Sequence, residues 1–90
     1  MDTIQHSVYI LRCRDGSLYT GYTNDLEARI DKHASGRGAK YTRGRGPFEL
    51  VYHETFATKT EALQHEFAIK QLPKWKKEEI IAKLQGVDAT

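Results

Sequence analysis

Ninety residues, 39% of them hydrophobic, suffice for one domain with one core and leave no room for a second. The lone cysteine, Cys13, excludes an internal disulfide, and no apolar run approaches the length of a membrane span. The opening MDTIQHS has neither a basic leader nor an apolar signal core, so a cytoplasmic location is expected, while a net charge of +2 by itself points to no class of partner.

In chain order, SVYILRCRDGSLYTGYT sets two β-rich runs around Asp15-Gly16, which predicts a hairpin. Its second strand carries Tyr19, loses its side chain at Gly21 and resumes with Tyr22. That reads either as a kinked half-buried strand or as a gap cleared for close approach to the backbone. NDLEARIDKHA places Leu26, Ile30 and Ala34 at helical spacing, with Asn24 as N-cap and Glu27 completing a capping box. The glycine-rich ASGRGAKYTRGRGP reads as a long irregular loop, of the kind that in a small domain is functional or disordered. FELVYHETF alternates Phe48, Leu50, Tyr52 and Phe56 against Glu49, Val51, His53 and Thr55, predicting a third strand. Thr58 and Glu61 then open the helix KTEALQHEFAIKQL, and Pro73 ends it and starts a shorter one, KWKKEEIIAKL. The expected fold class is α+β, a small three-stranded antiparallel sheet flanked by helices in the order β-β-α-β-α-α, with its core over residues 7–84 and a frayed tail over 85–90.

Charge is unevenly spread along these elements. Lys32, Arg37, Lys40, Arg43 and Arg45 follow one another without an acid, as do Lys70, Lys74, Lys76 and Lys77, and Glu49, Glu54, Glu61 and Glu66 lie between the two groups. The pattern fits an ordinary solvated surface or a polyanion held around a small acidic spot. Glu66 is the most informative residue. On a helical wheel it falls near the centre of the arc made by Ala62, Leu63, Phe67, Ile69 and Leu72, and a carboxylate aimed at a core needs an arginine partner, a strong donor or a metal ion. Mg²⁺ takes only one or two protein carboxylates and fills its shell with water and phosphate. Arg29 and His33, four apart, set a fixed cation beside an imidazole on one flank of the first helix. His6, His53 and His65 have no zinc-binding spacing with Cys13, which is expected to be a packing residue.

Tyr9 in VYI and Tyr19-Thr20-Gly21 in YTG resemble the two half-motifs of the GIY-YIG nuclease family. Arg29, His33 and Glu66 fall where that family carries its functional arginine, histidine and metal-binding glutamate, and the resemblance covers roughly residues 7–77. Ser7 and Val8 depart from the first half-motif, Tyr22 stands where some members have lysine, and Lys76 follows Pro73-Lys74-Trp75 where many relatives have asparagine. The resemblance implies a GIY-YIG endonuclease-like fold and metal-dependent hydrolysis of phosphodiester bonds in nucleic acid, DNA being the first expectation, with one Mg²⁺ or Mn²⁺ on Glu66 and Arg29 stabilising the added negative charge. Tyr9, Tyr19 or His33 would take the proton from water. Arg37, Lys40, Tyr41, Arg43, Arg45, Lys74, Trp75 and Lys76 would contact nucleic acid, together with Gly21 and Tyr22. No membrane contact and no obligate protein partner are expected. The alternatives are a nucleic-acid-binding module that keeps the fold with little or no cleavage, and an interaction domain in which Glu66 merely pairs with Arg29.

Side chains alternate along a strand, so Tyr9 and Tyr19 share a sheet face only if their hairpin loop holds an odd number of residues. A common site therefore predicts a three-residue loop, Arg14-Asp15-Gly16, with Gly16 left-handed. Both phenols would then face the first helix and Glu66, and Gly21, next on that face, would leave room for a phosphate.

Overall fold

The computed structural model describes residues 5–36 and 46–84. It opens on a hairpin of β1 (His6–Arg12) and β2 (Leu18–Thr23). Cys13 N–H donates to the Ser17 carbonyl at 2.8 Å and Gly16 N–H donates back to the Cys13 carbonyl at 2.9 Å, which leaves three residues in the loop. The last of them, Gly16, has φ +86°, a conformation that strains any residue with a Cβ. Asp15 accepts from the N–H and hydroxyl of Ser17 at 3.0 and 2.6 Å and so stiffens the turn. The loop is the one that a shared tyrosine face requires.

The first helix, α1 (Leu26–Ala34), begins one residue later than its capping signal indicated. Thr23 Oγ1 accepts the Asp25 N–H at 3.0 Å, and Asp25, not Asn24, caps the helix by accepting from Ala28 N–H at 3.2 Å. The strand's last hydroxyl thus sets where the helix starts. The inward stripe is also turned, because Ala34 is exposed and His33 is the residue that α1 buries.

β3 (Glu49–Phe56) completes the sheet in the order β2-β1-β3, with both pairings antiparallel. Ile10 pairs with Tyr52 but Leu11 with Leu50, so Val51 is an extra residue in a bulge. Leu50 and Tyr52 consequently point to opposite faces, contrary to simple alternation. The bulge lets the neighbours Val51 and Tyr52 both enter the core.

Thr58 caps α2 (Lys59–Lys70) by accepting from Glu61 N–H at 3.2 Å, and its hydroxyl donates to Glu61 Oε1 at 3.1 Å. Pro73 then offers its carbonyl to Lys76 and Lys77 N–H and opens α3 (Lys74–Leu84). Val8 and Ile10 of the central strand pack with Ala62 and Ile69 of α2 and Ile81 of α3, so these two helices cover one sheet face. Tyr9 and Leu11 point to the other, toward α1. Val8 to Leu11 are all at most 1% exposed, and a strand enclosed on both sides can only be an unbroken apolar run with polar atoms that find partners. Arg12 ties the end of β1 to α3 through two bonds to Glu78, at 2.6 and 2.7 Å, and this bidentate contact holds the Glu78 carboxyl below its usual range. No helix among the described residues is long and apolar enough to cross a membrane.

Candidate active site

The register decides which aromatic groups meet. Tyr9 lies opposite Gly21 and Leu11 opposite Tyr19, and directly opposed residues of antiparallel strands share a face, so both phenols project from one side of the sheet. Their ring centres are 6.3 Å apart. His33 comes down on them from α1, 5.9 Å from the Tyr9 ring and 5.3 Å from Tyr19, with Phe48 behind it at 6.1 Å. Tyr9 Oη and His33 Nε2 are hydrogen-bonded at 2.9 Å, and both residues are 1% exposed.

Gly21 has a physical reason that differs from the expected one. A Cβ built there would stand 2.5 Å from Tyr9 Oη and 2.6 Å from Cζ. The space that the glycine clears is filled by the Tyr9 phenol and is not left open for a phosphate. Tyr22, by contrast, pairs with Val8 and so lies on the other face. There its hydroxyl meets His6 Nδ1 at 2.8 Å and its ring packs against the core cluster, on the side away from Tyr9 and Tyr19.

Burial pushes the Tyr9 phenol well above its ordinary range; Tyr19 and Glu66 add to the rise and Arg29 opposes it. His33 is shifted the other way, chiefly by burial and further by the Arg29 charge one turn before it. The pair is therefore two neutral groups sharing one hydrogen bond. A buried neutral histidine binds fewer protons than the same residue in the unfolded chain, so its share of the stability is present above the ordinary value of 6.5 and is lost as pH falls from there toward its lowered folded value. Thermal melts should accordingly weaken as the pH falls below 6.5, and NMR titration should find the His33 imidazole charging only below that value. His33 charging at or above 6.5 would contradict this assignment.

Glu66 reaches the same place from across the sheet. The side of α2 that faces inward runs through Ala62, His65, Glu66 and Ile69, whereas Leu63 and Phe67, expected on that side, are 39% and 67% exposed. Polar partners make this stripe possible: His65 Nε2 is 2.8 Å from Tyr52 Oη, and Glu66 Oε2 is 3.2 Å from Lys70 Nζ. The Glu66 side chain is only 17% exposed, and its ion-pair partner is Lys70 one turn on, not Arg29. Glu66 acts on Tyr9 through its field, while Arg29 and His33 lie on the other side of the sheet. Because β2 is an edge strand, the arrangement is a site folded around that edge, with Tyr9, Tyr19, Arg29 and His33 on one side and Glu66 and Lys70 on the other.

The described residues hold no group of three or more histidine, cysteine, aspartate or glutamate side chains that would enclose a metal ion. One largely buried carboxylate does not make a protein cage. It does suit an ion such as Mg²⁺, which keeps most of its water and takes a substrate phosphate.

Among the basic residues, Lys74 Nζ lies 4.0 Å from where a Gly16 side chain would begin, at the hairpin loop. Trp75 is 66% exposed, with Lys76 Nζ 5.5 Å from its ring centre and 3.2 Å from Glu79. Arg37, Lys40, Tyr41, Arg43 and Arg45 lie outside the described residues. Phe48, which backs His33, was read from the sequence only as an apolar position of the third strand and not as part of the site.

Residues 5–79 match the family model described as the GIY-YIG catalytic domain. The chain belongs to the GIY-YIG family. A UPF0213 protein of Oceanobacillus iheyensis is 64% identical over 77 residues, covering 86% of this chain and 90% of the relative. The solution NMR structure of a UPF0213 protein from Bacillus halodurans is 58% identical, covers 87% of this chain and 83% of that one, and superposes with a TM-score of 0.59. The solution NMR structure of an E. faecalis protein is 39% identical over 96% of this chain and 92% of that one, with a TM-score of 0.63. This GIY-YIG chain thus shares its α+β fold with relatives of about its own length, and its two half-motifs are the strands that bring Tyr9 and Tyr19 together.

Proposed function

We propose that this protein is a metal-dependent endonuclease that hydrolyses phosphodiester bonds in nucleic acid, with DNA as the first candidate. The observation that carries the reading is the arrangement around β2, in which an enclosed Tyr9–His33 pair and the partly buried Tyr19 face a cation on one side, and a largely buried carboxylate lies on the other. In this reading Tyr9 is not the base, since burial keeps its phenol protonated. It fixes His33 and, through the ring contacts, the position of Tyr19. Tyr19 is less buried than Tyr9 and so is the phenol better placed to orient the attacking water. Arg29 offers a permanent positive charge to the phosphoryl oxygens as they gain charge. Glu66 would hold Mg²⁺ or Mn²⁺, with water and substrate completing the shell, and the ion would supply charge neutralisation at the phosphate and its leaving oxygen.

The competing reading is a module that binds nucleic acid without cutting it, and the Lys70–Glu66 ion pair favours it by neutralising the carboxylate in the absence of metal. Incubation with branched, nicked, flapped and single-stranded substrates separates the two. Cleavage that requires Mg²⁺ or Mn²⁺ and stops with chelator supports the nuclease. Salt-sensitive binding with every substrate intact at all metal concentrations supports the module.

A further inference from the structure

The outer side of β2 carries a polar group that nothing else in the fold uses. Thr20 pairs with Ile10 and therefore points away from the phenols, toward α2. It is 4% exposed, and its Oγ1 is a buried side-chain atom with no hydrogen-bond partner among the described residues. Buried hydroxyls rarely go unpaired, because leaving one so forfeits its hydration for nothing. Thr20 lines a shallow cleft of about 230 Å³ whose other walls are Leu18, Tyr19, Lys70 and Lys77. Lys77 has no ion-pair partner among the described residues, and Lys70 stands half-exposed beside Glu66. The Lys77 ammonium, the Lys70 ammonium shared with Glu66 and the unpaired hydroxyl recessed in the cleft wall together form a donor set for an anion. The neighbouring cleft, toward Lys74, shares Lys77 and contains Asp15, much as Glu66 stands beside Lys70 here, so the feature that sets this cleft apart is the unpaired Thr20 hydroxyl in its wall.

We infer that Thr20, Lys70 and Lys77 form a phosphate subsite on the β2 edge, which receives a backbone phosphate adjoining the one cleaved. The placement next to the cleaved phosphate rests on the nuclease reading. Tyr19 joins the two, since it lines this cleft and also packs against His33. A nucleic-acid strand crossing the sheet edge would present one phosphate to the tyrosine side and the next to Thr20 and the lysines.

The test uses the full chain with chelator present, so that no cleavage enters, and titrates inorganic phosphate and a short single-stranded oligonucleotide at low salt. Thr20→Val and Lys77→Gln should each weaken phosphate binding by about three- to tenfold, Thr20→Ser should retain it, and Lys83→Gln, at the far end of α3, should leave it unchanged. Thr20→Val should also melt no lower than wild type, because it removes an unpaired buried hydroxyl without changing shape. If that variant does not fold, the comparison of Lys77→Gln with Lys83→Gln decides alone. Absence of phosphate binding by the wild type, or equal binding by wild type, Thr20→Val and Lys77→Gln, overturns the subsite. A protein that binds phosphate in this Thr20- and Lys77-dependent way yet cuts no substrate with metal would refute the nuclease reading and keep the subsite. Cleavage together with unaltered phosphate binding by both variants would do the reverse.

Discussion

Gly21→Ala is expected to destabilise the fold by about 2–4 kcal/mol, more than a glycine-to-alanine change in an exposed strand would. The added methyl would sit 2.5 Å from Tyr9 Oη and 2.6 Å from Cζ, and Tyr9 is only 1% exposed and hydrogen-bonded to His33, so it must give up that contact to move. Either the two strands part or the phenol swings out of its contact with His33 Nε2. In the second case the imidazole loses a buried partner and Tyr19 loses the ring against which it packs. Cleavage, if the chain is a nuclease, should fall with stability, since the methyl never meets substrate and acts only through Tyr9. A double-mutant cycle isolates this. In a Tyr9→Ala background the same methyl meets empty space, and its cost should drop to a small fraction of the original. An equal cost in both backgrounds would show that the glycine is required by backbone conformation and not by the phenol.

The second large effect concerns Glu66 and Arg29, which should both be needed for activity but for different reasons. Glu66→Gln is expected to abolish metal-dependent cleavage and to weaken Mn²⁺ binding, while the domain stays folded. Its charge is offset by Lys70 in an i, i+4 pair whose lysine is half-exposed, and such pairs contribute little, so the change in stability should stay within about 1 kcal/mol. Arg29→Ala should lower the cleavage rate by about 10²–10³-fold, the usual cost of removing one donor aimed at developing charge, with Mn²⁺ affinity intact. A metal titration followed by calorimetry or Mn²⁺ relaxation separates the two variants. Should Glu66→Gln unfold the protein while Mn²⁺ binding persists, the carboxylate is a structural partner of Lys70, and the binding-module reading takes over.

The sequence by itself determined what neighbouring residues decide among themselves. Asp15-Gly16 marks the hairpin turn because only glycine takes the left-handed position cheaply, and once Tyr9 and Tyr19 are taken to share a face the loop must have the odd count, three, that it has. Thr58 and Pro73 begin α2 and α3 because a side-chain acceptor and a missing N–H act within one helical turn. Tertiary structure decided wherever two distant surfaces compete. Hydropathy placed Leu63 and Phe67 inward, but α2 turns His65 and Glu66 to the sheet, where Tyr52 supplies His65 with a partner that no periodicity shows and Lys70, one turn on, pairs Glu66 locally. The bulge at Val51 reverses the face of Leu50, since burying Val51 and Tyr52 together gains more apolar contact than strict alternation allows. Gly21 was legible as a cleared space, but what fills it depends on the strand opposite. The convergence of Thr20 with Lys70 and Lys77 was hidden for the same reason: it joins residues fifty or more positions apart, and only the packing of α2 and α3 against the β2 edge brings their charges to one hydroxyl.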